Sequence, residues 1–189
     1  MTAPILVDAP TEIETPRLLL RCPRAGDGAA VHAAVVESLQ ELRVWSASLP
    51  WAIAEPSVDA SEMFCRESQA AFIRRTSLPY LAFEHSSGRF IASTSLHRIH
   101  WEMPRFELGF WCRSSAQRQG YTREAARALL ELAFTGLGAR RVEAYTDELN
   151  LASRQLCVSV GMALEGVLRH ERVDKAGTLR NTCVFAAVR

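Results

Sequence analysis

The chain has 189 residues, 48% of them hydrophobic and 23% charged, with a formal net charge of +1. That length suits one domain with a full core and is short for two, and the composition is that of a globular protein and not a disordered one. The near-neutral balance removes any general electrostatic case for nucleic acid or an anionic membrane, and no apolar run approaches the ~20 residues of a membrane span.

The first residues, MTAPILVDAPTEIET, lack a basic start followed by an apolar stretch, so no signal peptide is expected. Cys22, Cys65, Cys112, Cys157 and Cys183 are scattered with no C-x-x-C pair. Such a set reads as reduced thiols of a cytoplasmic protein, neither a disulfide frame nor a metal site.

Residues 1–14 read as a loose lead-in, and 15–189 as the domain. RLLLRCP (17–23) is a short apolar strand stopped by proline. Residues 25–42 carry Ala29, Val31, Ala33, Val35, Val36 and Leu39 and predict a helix. Two prolines break WSASLPWAIAEPS (45–57), a loop holding Trp45 and Trp51, and a second helix is expected over 58–76. YLAFEH (80–85) and RFIASTSLHRIHW (89–101), separated by SSG, read as a hairpin. RFELGFWC (105–112) alternates as a strand should. A helix follows over about 121–137, stopped by Gly138, then a strand at 139–147. Residues 150–161 form a helix with Asn150 as N-cap and Gly161 after its end. Two strands, MALEGVLRHERV and RNTCVFAAV, close the chain around DKAGT. The order β-α-α-β-β-β-α-β-α-β-β is that of a mixed α/β domain.

One turn invites a chemical reading. QRQGYT (117–122) joins a strand to a helix whose first N–H groups have no backbone partner and carry about half a positive charge. A glycine there lets a ligand approach the backbone, which makes a phosphate site. An ordinary turn with exposed polar side chains is the other reading, and the hexapeptide alone does not separate the two.

The surroundings add a resemblance. With ELGFWC upstream and NLAS-x-x-x-C-x-x-x-G downstream, QRQGYT is similar to the acyl-CoA loop of the GNAT superfamily of N-acetyltransferases. TPRLLLR (15–21), LRVWSASLPWA (42–52), ELGFWC (107–112), NLAS (150–153) and GMALEGVLR (161–169) resemble its RimJ/RimL branch, the ribosomal-protein N-terminal acetyltransferases. The resemblance implies a single-domain GNAT fold: a mixed, mostly antiparallel sheet flanked by helices and splayed at its fourth and fifth strands, with acetyl-CoA in the V and no metal.

It also implies roles. Gln117, Arg118, Gln119, Gly120, Tyr121 and Thr122 would hold the diphosphate, and the strand edge at Phe110, Trp111 and Cys112 the pantetheine. Asn150 would cap its helix and contact the same arm. Ser153 is the family's candidate for assisting the departing thiolate. Cys157 falls where many members place a tyrosine, yet as a residue type it reads as a small core side chain. Glu107 is the expected base, acting through a water, with His97 and Glu171 as substitutes; an imidazole's ordinary pKa, about 6.5, suits that task. His85, beside a turn, reads as solvated. Trp45, Trp51 and His97 would line the acceptor cleft, although the tryptophans read equally well as a packed lid.

The acceptor implied is a peptide or protein N-terminus or a small amine, with no nucleic-acid or membrane partner, in a monomer or homodimer. Three residues depart from the family pattern: Thr122 for glycine or alanine, Cys157 for tyrosine, and Asn181 for a frequent aspartate. A non-catalytic acyl-CoA-binding module is the alternative reading.

Overall fold

A computed structural model of the protein describes residues 3–189. Eight strands and four α-helices follow one another as β1 (Glu12–Glu14), β2 (Leu18–Arg21), α1 (Gly28–Val44), α2 (Val58–Arg74), β3 (Leu78–Glu84), β4 (Phe90–His100), β5 (Arg105–Cys112), α3 (Tyr121–Glu131), β6 (Arg141–Asp147), α4 (Leu151–Ser159), β7 (Ala163–Val173) and β8 (Leu179–Val188). Short 3-10 turns lie at Pro4–Leu6, Pro50–Ile53 and Ser114–Ala116, and a π-turn at Leu132–Gly136 extends α3.

The helices begin and end where local chemistry dictates. Ser57 caps α2, its hydroxyl accepting the Ala60 N–H at 3.0 Å, and Arg75 closes that helix in the left-handed region at φ 59°. Asp27 precedes α1 with its carboxylate held by the Arg24 N–H (2.9 Å) and by a buried pair with Arg21 at 2.6 and 2.7 Å. On α3, Tyr121, Ala125, Ala126, Leu129 and Leu130 are buried along one stripe, the helical repeat that lays it on the sheet.

The strands form one sheet in the order β1-β2-β3-β4-β5-β6-β8-β7. Every neighbouring pair is antiparallel except β5 and β6, which run parallel over Arg105↔Arg141, Phe106↔Val142 and Glu107↔Glu143. Beyond Glu107 the pairing stops while β5 continues to Cys112 and β6 to Asp147. This is the expected splay between the fourth and fifth strands of the sequence reading.

Alternation divides the sheet into two faces. Leu18, Leu20, Tyr80, Phe106, Val142 and Phe185 join the main core, which includes the buried stripe of α3. Val31, Val35, Cys65, Leu81 and Phe90 make a smaller core under α1 and α2, with Trp111 packed against it.

Two details differ from the sequence reading. Part of the lead-in is ordered: β1 pairs with β2 at Glu12↔Arg21, and the Tyr80 hydroxyl donates to the Pro10 carbonyl at 2.6 Å. Asn181, the unexplained departure, accepts the His170 N–H at 2.9 Å and donates to Glu148 at 2.8 Å, fixing an irregular stretch of β7 to the loop after β6.

Candidate active site

The turn between β5 and α3 is hung on α1. Glu37 accepts the Ser115 N–H at 3.0 Å and the Arg113 Nε–H at 2.6 Å, while one turn on Glu41 accepts from Ser114 Oγ (2.8 Å) and Gln117 Nε2 (2.6 Å). Burial alone would raise the Glu37 carboxyl, but these hydrogen bonds and the Arg113 charge outweigh it and pull it down to about 2.

Past this anchor the chain turns through Arg118 at φ 60° and Gly120 at φ 81°. Among the described residues, no protein acceptor takes the N–H groups of Arg118 through Arg123, and the first paired one is Glu124, bonded to the Gly120 carbonyl at 3.0 Å. Six successive free N–H groups, with left-handed residues between, form a concave anion site at the start of a helix dipole. A diphosphate fits this donor set.

The side chains divide differently from the expectation. Tyr121 turns inward, its hydroxyl donating to Glu84 and its ring under the Arg17 guanidinium at 4.3 Å, so its main chain alone serves the site. Gln117 and Gln119 are engaged with Glu41 and the Ser115 carbonyl, and Arg118 is exposed. Thr122 is half-buried, and burial pushes the thiol of Cys112, which donates to the Arg113 carbonyl at 3.5 Å, upward.

The edge of the V follows from parity. The Arg113 N–H bonds the Ile91 carbonyl at 2.9 Å, so in an alternating strand Trp111 and Gly109 also point their backbone at β4. Phe110 and Cys112 then point theirs into the splay, where β6 no longer pairs with them. Trp111 thus differs from the expected edge residue, since its backbone faces β4 and its indole packs against Phe90 and Trp51.

A cavity of roughly 1000 Å³ opens on this edge. Trp45, Trp51, Phe64 and Trp111 give it apolar walls, and the Trp51 and Trp111 rings lie 5.9 Å apart. Its polar lining includes Ser95, His97, Arg98, Glu107, Tyr145, Asn150, Ser153 and Glu171. His97 Nε2 lies 3.1 Å from Glu107 Oε1, and Arg98 Nη1 3.3 Å from Glu107 Oε2. Burial works to raise the Glu107 carboxyl, but the His97 hydrogen bond and the charges of His97, Arg98 and Arg172 leave it lowered.

Asn150 caps α4, accepting the Ser153 N–H at 3.0 Å, and so fixes the backbone at Ser153 on the cavity wall. Cys157, one turn on, is fully buried in the main core, its thiol pushed up to about 12 by that burial. It stands apart from the cavity, as its residue type suggests. His85 pairs with Glu14 at 3.1 Å, also elsewhere.

Ser95, Ser48, Tyr145 and Thr146 escaped the sequence reading. Both Ser48 and Thr146 line the cavity, and their hydroxyl oxygens are buried without a protein partner. Nothing in a lone serine or threonine of a loop or strand announces this. Among the described residues there is no cluster of three or more His, Cys, Asp or Glu disposed to hold a metal, and no helix is long and apolar enough to cross a membrane.

Residues 17–163 match the family model of the acetyltransferase (GNAT) domain, well over half of the chain. The chain belongs to the GNAT acetyltransferase family. No curated protein matches it by sequence. Among solved structures, this GNAT protein is similar to RimL, a ribosomal L7/L12 alpha-N-protein acetyltransferase in complex with coenzyme A, at 21% identity and a TM-score of 0.84, over 94% of this chain and 97% of that one. It is similar to the microcin C7 self-immunity acetyltransferase MccE in complex with acetyl-CoA and AMP, at 17% identity and a TM-score of 0.86, over 96% and 98% of the two chains. Mycobacterium smegmatis RimJ, in complex with CoA-disulfide, shares 23% identity and a TM-score of 0.78, over 90% of this chain and 81% of that one. At such identities the likeness is one of fold.

Proposed function

We propose that the protein transfers an acetyl group from acetyl-CoA to a primary amine, either a protein N-terminal α-amine or a small-molecule amine, by direct attack within a ternary complex. The observation that carries this reading is the run of six free N–H groups from Arg118 to Arg123 at the mouth of a splayed sheet. The CoA-bound state of the RimL, RimJ and MccE structures supports it.

Bound acetyl-CoA supplies an activated acetyl thioester, and the remaining tasks fall to this chain's residues. The amides of 118–123 neutralise the diphosphate. The backbone of Phe110 and Cys112 offers the N–H and C=O groups of an open edge to the pantetheine amides. One of those N–H groups polarises the thioester carbonyl, a contact of the kind worth a few kcal/mol in other enzymes. Asn150 holds Ser153 in place, and the Ser153 hydroxyl is assigned to the leaving sulfur. Proton removal from the amine is assigned to the hydrogen-bonded His97–Glu107 pair acting as one unit. Trp45, Trp51 and Trp111 shield the cleft from water. The protein is taken to act in the cytoplasm, as a monomer or homodimer, without a nucleic-acid partner.

Two measurements test the reading in order. Coenzyme A at a hundred times its dissociation constant should stabilise the fold by about 2.7 kcal/mol. Thiol release from acetyl-CoA should then respond to a member of a panel of peptide N-termini and polyamines. Binding without turnover on any amine would leave a non-catalytic acyl-CoA module; no binding at all would end the reading.

A further inference from the structure

Ser95, His97 and Glu107 stand in one line on the cavity wall. His97 is paired with Glu107 and Ser95 with Gly109 in the β4–β5 register. The His97 ring lies along its strand, with Nδ1 3.1 Å from Ser95 Oγ and Nε2 3.1 Å from Glu107 Oε1. That posture depends on Gly109. A Cβ added there would stand 2.7 Å from His97 Cε1 and 3.0 Å from Ser95 Oγ, so any side chain at 109 would push the ring off the line.

The direction of the chain follows from the donors. An ionised Glu107 only accepts, so the Nε2 facing it carries the proton. The neutral ring then has its lone pair on Nδ1, where the Ser95 hydroxyl donates to it. The basic nitrogen of the line faces Ser95 and not the carboxylate.

We propose that Ser95, His97 and Glu107 form a proton relay in which His97 Nδ1 is the final acceptor, reached through Ser95 Oγ, while Glu107 and Gly109 hold the imidazole in place. This deepens the acetyl-transfer reading and rests on it. The acceptor's ammonium gives a proton to Ser95 Oγ as the serine's own proton passes to Nδ1. The amine is left neutral, the hydroxyl is restored, and an imidazolium faces the Glu107 carboxylate. The other charged and titratable groups of the cavity lining are Arg98 on β4, Tyr145 and Asp147 on β6, Glu171 and Arg172 on β7, Glu67 on α2, and Glu55 ahead of that helix. Arg98 and Arg172 oppose the imidazolium and the carboxylates favour it, with Glu107 in direct contact. The relay explains why a carboxylate held low is still useful: it is a fixed counter-charge and not itself the base.

Nitrogen NMR of the His97 ring in the ligand-free protein is the first test. Wild type is expected to carry the neutral ring's proton on Nε2, and Gly109→Ala to lose that single tautomer; a proton on Nδ1 in wild type would overturn the relay. Kinetics across amines of falling basicity is the second. His97→Gln should lower kcat by about 100-fold or more for alkylamine and α-amine acceptors. The deficit should shrink for a hydrazide, which is neutral at the assay pH; an equal deficit for every amine means a merely structural histidine. Gly109→Ala should follow the same pattern with its thermal shift by coenzyme A retained, because the atoms it displaces are the end of a side chain. Ser95→Ala should do likewise. A wild type that acetylates no amine sinks the functional reading and the relay together. A wild type that acetylates, with the wrong tautomer or a flat amine series, sinks the relay alone.

Discussion

Glu37 on α1 accepts both the N–H and the hydroxyl of Ser115, 78 residues away in sequence, and so fixes the start of the amide nest to the opposite side of the sheet. The nest is three residues further on, and its curvature depends on where that anchor puts the chain. Replacing Glu37 by alanine frees the Ser115 N–H and the Arg113 guanidinium together. Affinity for coenzyme A should fall by about tenfold, the equivalent of one neutral hydrogen bond of about 1.4 kcal/mol. Titration calorimetry checks this; unchanged affinity would mean the nest holds its shape without α1.

The same carboxylate gives a pH dependence of stability. Its folded pKa, about 2, lies below the ordinary 4.5, so the folded state resists its protonation. The stabilisation is complete above the ordinary value and is lost as pH falls from about 4.5 towards 2. Urea unfolding across that window should show a steeper acid loss for wild type than for Glu37→Gln. Parallel curves would deny Glu37 this part.

Gly28 makes a case against helix propensity. It begins α1, where helix propensity alone favours alanine. A Cβ there, however, would lie 2.7 Å from the Cα of Glu62, backbone of α2 that cannot step aside, and Glu62 also accepts the N–H groups of Gly26 and Gly28. Gly28→Ala should therefore destabilise by about 1–3 kcal/mol, as overpacking does. A raised melting temperature would show the two helices free to separate.

Much of this was legible in the chain. The alternation of RFELGFWC, the glycine at the head of an alanine- and leucine-rich helix, and the Asn150 cap are local signals. Each survives in the structure because no distant contact opposes it. What the chain could not disclose is register. Three residues of Glu-Ile-Glu alternate too briefly to reveal β1. ASTSLH shows that Ser95 and His97 share a face, but not that Gly109 and Glu107 lie opposite them. The Glu37–Ser115 tie and the Arg21–Asp27 pair likewise need the fold before they can be seen.

Asp27 and Arg21 bear on stability alone. Their side chains are 9% and 10% exposed, and Arg21 also stacks on Phe83 at 4.2 Å. Asp27→Asn strands a buried guanidinium, which costs about 3–5 kcal/mol in comparable cases. The variant should melt well below wild type, while coenzyme A still stabilises whatever remains folded. A change within a few tenths of a kcal/mol would mean that water reaches Arg21.

Ser153 and Cys157 separate chemistry from packing. Ser153→Ala should lower kcat with coenzyme A affinity unchanged, since the main chain at 153 keeps its bond to Asn150. Cys157→Ser puts a hydroxyl into a fully buried apolar site and should lower the melting temperature without a specific loss of turnover per folded molecule. The reverse pattern would move the acid role to Cys157.

The most direct test of the amide nest is a comparison of backbone amide NMR shifts on adding coenzyme A and on adding adenosine, which has no diphosphate. Coenzyme A should displace the resonances of Arg118 through Arg123 more than any others, and adenosine should leave them in place. If those six stay fixed while coenzyme A moves another surface, the diphosphate is held elsewhere and the proposed reaction loses its foundation.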